Sequence, residues 1–419
     1  MLLDNQNPPA YMNYTPMLGE LSADDYYMTT NNFNILPLYE RNTYIWNQDI
    51  YGGVGKLTHW DYPYQQVLYS NIVLEGLKNI QVDNSNTKDW NNIKGTALFM
   101  RAFAFWNLAQ IFCAPYDSAT ANTDLGIPLR LSSDINEKSS RSTIQQTYDQ
   151  IISDLSEAEN LVPPTLVYSY RNRPSKPAVL AMMARTYLSM RNYGKALLYS
   201  DSSLQLYNKL IDYNTISTAA SIPFPLLNDE ALFSARDITT GAISNLRLSQ
   251  GNSIDTSLYQ SYDINDLRKR IYFRLNGPYV TINKGTYNAT SVFRFTGLAT
   301  DEVYLMRAES YARLGDKTNS LNDLNILMSK RFKTGTFVPF TAATANDALS
   351  LVLNERRKEL VMRNLRWTDL RRLNKEGFNI TLIRIINNQT YTLKPNDPRY
   401  ILPIPDDVIA FTGMQQNAR

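Results

Sequence analysis

The chain is poor in the residues that most often announce chemistry. Its 419 residues include one histidine, His59, and one cysteine, Cys113. That removes clustered Cys/His metal sites, Cys–His nucleophile pairs and any internal disulfide. Charge of one sign is also lacking: 42 basic against 39 acidic residues leave +3, too even a balance for a dedicated nucleic-acid binder. No apolar run reaches the ~20 residues of a membrane-spanning helix. The most apolar stretch, Leu98 to Phe112, is interrupted by Arg101, Asn107 and Gln110. No Gly-x-Ser-x-Gly motif occurs. Gly52-Gly-Val-Gly-Lys56 imitates a phosphate loop, but Ile50 and Leu57 stand where that loop needs Gly and Ser/Thr. The start, Met1-Leu-Leu-Asp-Asn, shows no basic segment, apolar core or cleavage site of a leader.

The remaining polar candidates read as ordinary structure. Asp24-Asp25 and Asp406-Asp407 are neighbours in loops, expected to be solvated rather than to face each other across a scissile bond. Asp83 to Asp89 has oxygen ligands at calcium-like spacing without the glycine and bidentate glutamate of a calcium loop. His59 reads as a surface or helix-start residue. No cofactor and no metal are implied.

What the chain has in quantity is tyrosine, 28 against 15 phenylalanines, and a recurring helical phrase. Leu98-Phe-Met-Arg-Ala-Phe-Ala-Phe105, Leu180-Ala-Met-Met-Ala-Arg-Thr-Tyr187 and Tyr304-Leu-Met-Arg-Ala-Glu-Ser-Tyr311 each place a small Ala three residues before an aromatic. Positions three apart share one helical face, so a partner helix approaches over Ala102, Ala184 or Ala308 beside Phe105, Tyr187 or Tyr311. This is the pattern of tetratricopeptide-type helix pairs, interrupted here by insertions. The fold class expected is mainly α: a right-handed superhelix of about four helix pairs with loop-rich insertions and little β.

Along the chain, residues 1–58 read as loop-rich. A helix is predicted from Trp60 to Leu77 with Tyr64, Val67, Leu68, Ile72 and Leu77 inward, and another from Asp89 to Phe112. Ser142 with Gln145 reads as a capping box opening a helix with Ile144, Tyr148, Ile151, Leu155, Ala158 and Leu161 inward. Lys176 to Leu210 fits a helical hairpin turning at Asn192-Tyr-Gly194. Residues 214–298 break the rhythm, with loops, short helices and a hairpin near Tyr279 to Ile282 expected. Helices return at 301–313, 319–331 and 346–373. In the last, Arg356 to Arg372 is expected to show a charged outer face laced by i+3 and i+4 pairs, with Trp367 and Leu370 inward. A strand-like piece follows near Ile380 to Ile386.

Five segments, in order, resemble the SusD/RagB-like family of surface lipoproteins that sit on a TonB-dependent outer-membrane transporter. They are Trp90 to Phe105, Arg185 to Leu197, Glu302 to Asp316, Glu355-Arg-Arg-Lys-Glu-Leu360 with Arg366-Trp-Thr-Asp-Leu-Arg371, and Tyr400-Ile-Leu-Pro-Ile-Pro405. The resemblance covers most of 60–112, 142–205 and 300–417. It implies one SusD-like domain over 1–419: the 1–58 segment, a scaffold at 59–213 and 299–373, the 214–298 insertion and a mixed tail at 374–419. It also implies non-catalytic capture of a nutrient, an oligosaccharide or polysaccharide first, for a SusC-like transporter. The location implied is the cell surface of the outer membrane, reached through an N-terminal lipid anchor. The family's lipoprotein signal and acylated cysteine are not in this sequence, and Cys113, after a buried helix, cannot replace them. No enzyme activity and no nucleic-acid partner are expected. The rival reading is a tetratricopeptide-type protein-interaction scaffold without a small ligand.

Aromatic rings pack on the apolar faces of sugars while polar neighbours bond the hydroxyls. On that ground the candidate ligand-binding residues are Trp46, Asp49, Tyr51 and Trp60, followed by Tyr262, Tyr279 and Tyr287 of the insertion. The bland reading is that these rings anchor loops to the core.

Overall fold

The computed structural model of the protein describes residues 13–166, 169–225, 227–248, 251–281, 287, 289 and 293–419. Eight helices form the scaffold: α1 (Thr58–Leu77), α2 (Thr87–Phe112), α3 (Ile144–Glu159), α4 (Lys176–Ser189), α5 (Tyr193–Leu206), α6 (Thr300–Arg313), α7 (Lys317–Ser329) and α8 (Ala345–Glu359). Each packs on its neighbours in chain order, so the insertion between α5 and α6 leaves the stack unbroken. Two further helices, α9 (Arg366–Asn374) and α10 (Asp406–Thr412), follow. Ala102, Ala184 and Ala308 are fully buried, as a close helix contact requires. Tyr187 stacks on Tyr199 across the α4–α5 hairpin at 5.4 Å, nearly parallel.

The arginine in each repeated phrase has a role that the spacing of apolar residues did not reveal. Arg101 of α2 grips Asp154 of α3 with two bonds of 2.8 and 2.6 Å. Arg185 of α4 does the same to Glu302 of α6 at 2.8 and 2.6 Å. Arg307 of α6 binds Asp323 of α7 at 2.7 Å twice and Asp201 of α5 at 2.8 Å. A planar fork matched to a carboxylate fixes orientation as well as distance, so each close contact over an alanine carries its own alignment clamp.

Several local expectations shift. The capping box is Thr143 with Gln146, one residue later than Ser142 with Gln145. The Ser142 hydroxyl instead donates to Ile127 O across the Leu125–Pro128 and Arg141–Thr143 ladder. The α4–α5 turn lies at 190–192, with Arg191 at φ 61° and the Asn192 side chain capping α5, so Tyr193 and Gly194 are already helical. The inward face of α1 is the expected one at Val67 and Leu77, which are buried, and differs beside them. Ile72 is exposed, whereas Gln66 and Asn71 are buried because they donate to Tyr14 O and to Arg130 O and Ser132 O.

The 346–373 helix is two helices, broken at 360–365, where Met362 and Asn364 take positive φ. Its basic face is not solvated. Arg356, Arg363, Arg371 and Arg372 are buried and bind carboxylates or carbonyls on other elements. Glu359 meets Arg331 at 2.7 Å and Arg268 at 2.9 Å, while Arg363 turns to Asp301 at 2.8 Å. Asp369 and Arg372 do pair at 2.8 Å, and Trp367 and Leu370 point inward.

Six two-stranded ladders occur among the described residues. Two of them lace the insertion to the N-terminal segment: Tyr14–Thr15 runs parallel to Arg236–Asp237, and Tyr26–Met28 antiparallel to Asn252–Ile254. Arg274–Asn276 and Tyr279–Thr281 form the expected hairpin, though Ile282 lies outside the described residues. Leu382–Ile386 pairs with Gln389–Leu393 in a second hairpin. No helix is long and apolar enough to cross a membrane among the described residues.

Candidate functional site: an aromatic cleft under the C-terminal hairpin

Five of the seven aromatic and acidic candidates are core anchors. The Trp46 indole N–H donates to Ser22 O at 3.0 Å. The Tyr51 hydroxyl donates to Pro403 O at 2.6 Å, and burial pushes its pKa up. Trp60 meets Phe112 edge-on at 4.9 Å. Tyr262 donates to Lys358 O at 2.7 Å, and Tyr287 to Asp301 Oδ2 at 3.0 Å. All five are buried. The physical reason is that irregular segments have little ladder hydrogen bonding to hold them, so large rings with one polar tip attach them to the helices. Asp49 is exposed, but one of its oxygens accepts the Gly52 N–H at 2.9 Å and closes a turn in which Gly52 needs its positive φ of 57°. Tyr279 is half-buried on its hairpin. The seven do not converge on one place.

The other polar readings also resolve into structure. Asp83 closes a turn, accepting from Ser85 and Asn86. His59 does start α1, but buried, and its Nδ1 accepts the Met17 N–H at 3.2 Å. Burial lowers its pKa to about 3, so it is neutral. Asp25 is not solvated: it is buried against Arg357 at 3.1 Å.

Trp46 does line a cleft, of about 350 Å³. Its walls are Tyr26–Met28, Tyr44 and Trp46 from the N-terminal segment, Asp255 from the insertion, Asp24, and residues 382–385 of the C-terminal hairpin. Arg384 enters from that hairpin and lies over the Tyr44 ring at 3.5 Å, with Trp46 at 5.0 Å and Tyr26 at 5.4 Å. A guanidinium among three rings is stabilised by their quadrupoles. Its Nη2 donates to Ala23 O at 2.5 Å and Leu21 O at 3.3 Å, so the hairpin is tied to the N-terminal loop.

The rim is charged on one side. Asp24 binds Arg366 at 2.7 Å and Arg357 at 3.3 Å, and Arg357 also lies 3.9 Å from Asp255. Burial works to raise the Asp24 pKa, but Arg366 and Arg357 outweigh it and hold the carboxyl well below its usual range. Asp25 behaves oppositely: burial pushes its carboxyl up, against the pull of Arg357. Asp25 is not on the cleft wall, so Asp24 and Asp25 do not face each other across a substrate. At the mouth Tyr27 is 37% exposed, and Ile383 and Ile385 of the same cleft are exposed too. Arg384 is not legible in the sequence, because only the tertiary fold brings that hairpin back to the N-terminal loop.

Residues 3–188 match the family model SusD-like_3, described as starch-binding and associating with the outer membrane. The whole chain superposes on a SusD superfamily protein of Bacteroides thetaiotaomicron, with TM-score 0.78 and 23% identity, covering 98% of this chain and 95% of that one. The chain has the SusD-like fold. A SusD superfamily protein of Bacteroides fragilis gives TM-score 0.76 at 21% identity, covering 96% of this chain and 95% of that one. A laminarin-binding SusD-like protein gives 0.67 at 16%, with coverage of 96% and 94%. No curated protein matches the sequence. The SusD-like fold thus extends over the insertion and tail, beyond the N-terminal part that carries the sequence match.

Proposed function

We propose that this SusD-like protein captures an oligosaccharide at the outer-membrane surface without cleaving it and passes it to a TonB-dependent transporter. The chain acts as one unit, tethered through an N-terminal lipid. The family description and the laminarin-binding relative support the ligand class. The observation that carries the reading is the cleft beneath the C-terminal hairpin. A partly open Tyr27 ring faces it beside the Asp24 and Asp255 carboxylates. A ring face takes the apolar side of a pyranose, and carboxylates accept its hydroxyls. Arginine pairing commits Asp24 to holding the rim, which leaves Asp255 as the carboxylate for a sugar hydroxyl and no free pair among the lining residues for acid and nucleophile roles.

The test is affinity electrophoresis in gels containing laminarin or soluble starch, with Tyr27→Ala and Asp255→Asn beside wild type and product analysis of the same mixtures. Retardation of wild type, loss in Tyr27→Ala and intact glycan are expected. Retardation unchanged in both variants refutes this cleft as the site. Glycan fragments that track the purified protein refute the non-catalytic reading.

A further inference from the structure

A second cleft, of about 620 Å³, lies between α1, the 128–139 segment and α10. Its floor is Trp60 and Tyr64, whose rings sit 4.8 Å apart on the first turns of α1. One wall carries Phe411 and Met414, the other Ile135 and the polar run Asn136 to Ser139. The walls are built rather than loose. Tyr64 donates to Pro128 O at 2.9 Å, Asn71 to Arg130 O and Ser132 O, and Glu75 accepts the Ser133 N–H at 2.8 Å. Behind α10, Gln416 bonds Ile404 N–H and C=O at 2.8 Å each, holding the tail against the core.

Phe411 makes this cleft unusual. The residue is 93% exposed, and Ile135 of the same cleft is 81% exposed, although the core has abundant buried aromatics. What sets Phe411 apart from other exposed apolar residues is its place on the wall of a cleft that Ile135 and Met414 also line. A ring held in that position and facing a concave, hydroxyl- and amide-rimmed space has the form of a stacking platform. A closed apolar pocket would suit an acyl chain, and a protein partner needs a broader face of about 800 Å² per side. A cleft with rings on the floor and one wall, and Ser, Asn, Glu and Lys on the other, matches the two-sided polarity of a pyranose.

We propose that this cleft is a second, independent oligosaccharide-binding site, with Phe411 as its platform above the buried Trp60 and Tyr64 floor. The inference rests on the glycan-capture reading above and adds a site that shares no lining residue with the first, built from α1, the 128–139 segment and the C-terminal tail.

Calorimetry and tryptophan fluorescence on the full chain test it, with laminarihexaose and maltoheptaose as probes and with Phe411→Ala, Tyr27→Ala and the double variant. Because the Phe411 ring makes little contact, Phe411→Ala is expected to keep the wild-type melting temperature. For whichever probe binds, wild type is expected to take two equivalents. Phe411→Ala should take one, with at least tenfold weaker binding at the lost site and loss of the Trp60-linked fluorescence change. Tyr27→Ala should retain the Phe411 site. If Phe411→Ala binds with wild-type stoichiometry and affinity while Tyr27→Ala loses binding, the second site is refuted and the first stands. If Phe411→Ala loses all binding and Tyr27→Ala none, the Phe411 cleft is the binding site and the first cleft is refuted. If neither probe binds wild type, both proposals fail together.

Discussion

The Arg185–Glu302 clamp offers a direct measure of what aligns the helical stack. Both side chains are buried, at 3% and 0% exposure. Arg185 spends two donors on Glu302, at 2.8 and 2.6 Å, and donates again to Gly297 O at 2.5 Å. Its guanidinium lies 5.5 Å from the Trp106 ring centre, so α2, α4 and α6 meet at this residue. Arg185→Met preserves most of the volume but leaves a carboxylate without its cation in the core. Breaking a buried pair from one side costs about 3–5 kcal/mol, and the stranded Gly297 carbonyl adds about 1 kcal/mol. Glu302→Met strands the guanidinium and is expected to cost a similar amount. Removing both, as Arg185→Met/Glu302→Met, leaves only the carbonyl and imperfect packing, so the double variant should lose no more than about 2 kcal/mol. Urea unfolding followed by far-UV circular dichroism and tryptophan fluorescence measures all four proteins. Single variants within 0.5 kcal/mol of wild type, or a double variant as destabilised as the two singles together, would refute the clamp.

Three further outcomes follow from local geometry. Gly297→Ala would put a Cβ 1.9 Å from Phe233 O and 2.8 Å from Ala235 N, both backbone atoms; neither can rotate away, so a loss of about 3 kcal/mol or more is expected, and an unchanged melting temperature would contradict this strand contact. Tyr51→Phe removes the bond to Pro403 O and should cost about 1 kcal/mol while glycan retardation stays at the wild-type level; the opposite pattern would return Tyr51 to the binding site. Asp237 is buried, which pushes its carboxyl up to about 6 against the pull of Arg294, although it accepts the Arg294 N–H at 2.6 Å. Because the folded pKa is raised, the stability it contributes is full below about pH 4 and is lost as pH climbs to 6, by about 3 kcal/mol. Asp237→Asn keeps the acceptor, so its stability relative to wild type should improve over that window and level off above it; a difference flat from pH 4 to 7 would refute the assignment.

Helices were legible where one chain segment contains its own evidence. The Ala-to-aromatic spacing in α2, α4 and α6 is local, and all three alanines are buried. The α3 apolar face from Ile144 to Ala158 also follows from period alone. Errors began where a residue's partner is remote. Ser142 and Thr143 are equally good caps by type, and only the paired strand, which takes the Ser142 hydroxyl, makes Thr143 the cap. The arginines of α8 and α9 look solvated in sequence because their nearest carboxylates are three or four residues away. In the fold, Arg268, Arg331, Glu230 and Asp301 arrive from other segments and form a buried network.

The site was less legible than the scaffold. Aromatics in loops look alike whether they hold the loop down or meet a ligand, and burial, which separates the two, is a property of the whole packing. Trp46, Tyr51, Trp60, Tyr262 and Tyr287 went to the core, whereas Tyr27 and Phe411 keep faces open. Composition and period therefore determined the class of this protein: a stacked α-helical scaffold without Cys/His chemistry, because those depend on residue type and on neighbours within one or two turns. Tertiary structure alone decided which rings face solvent, where Arg384 sits and which carboxylate each arginine holds. Those outcomes depend on segments far apart in the chain, where a contact is worth its energy only after the intervening chain has been ordered.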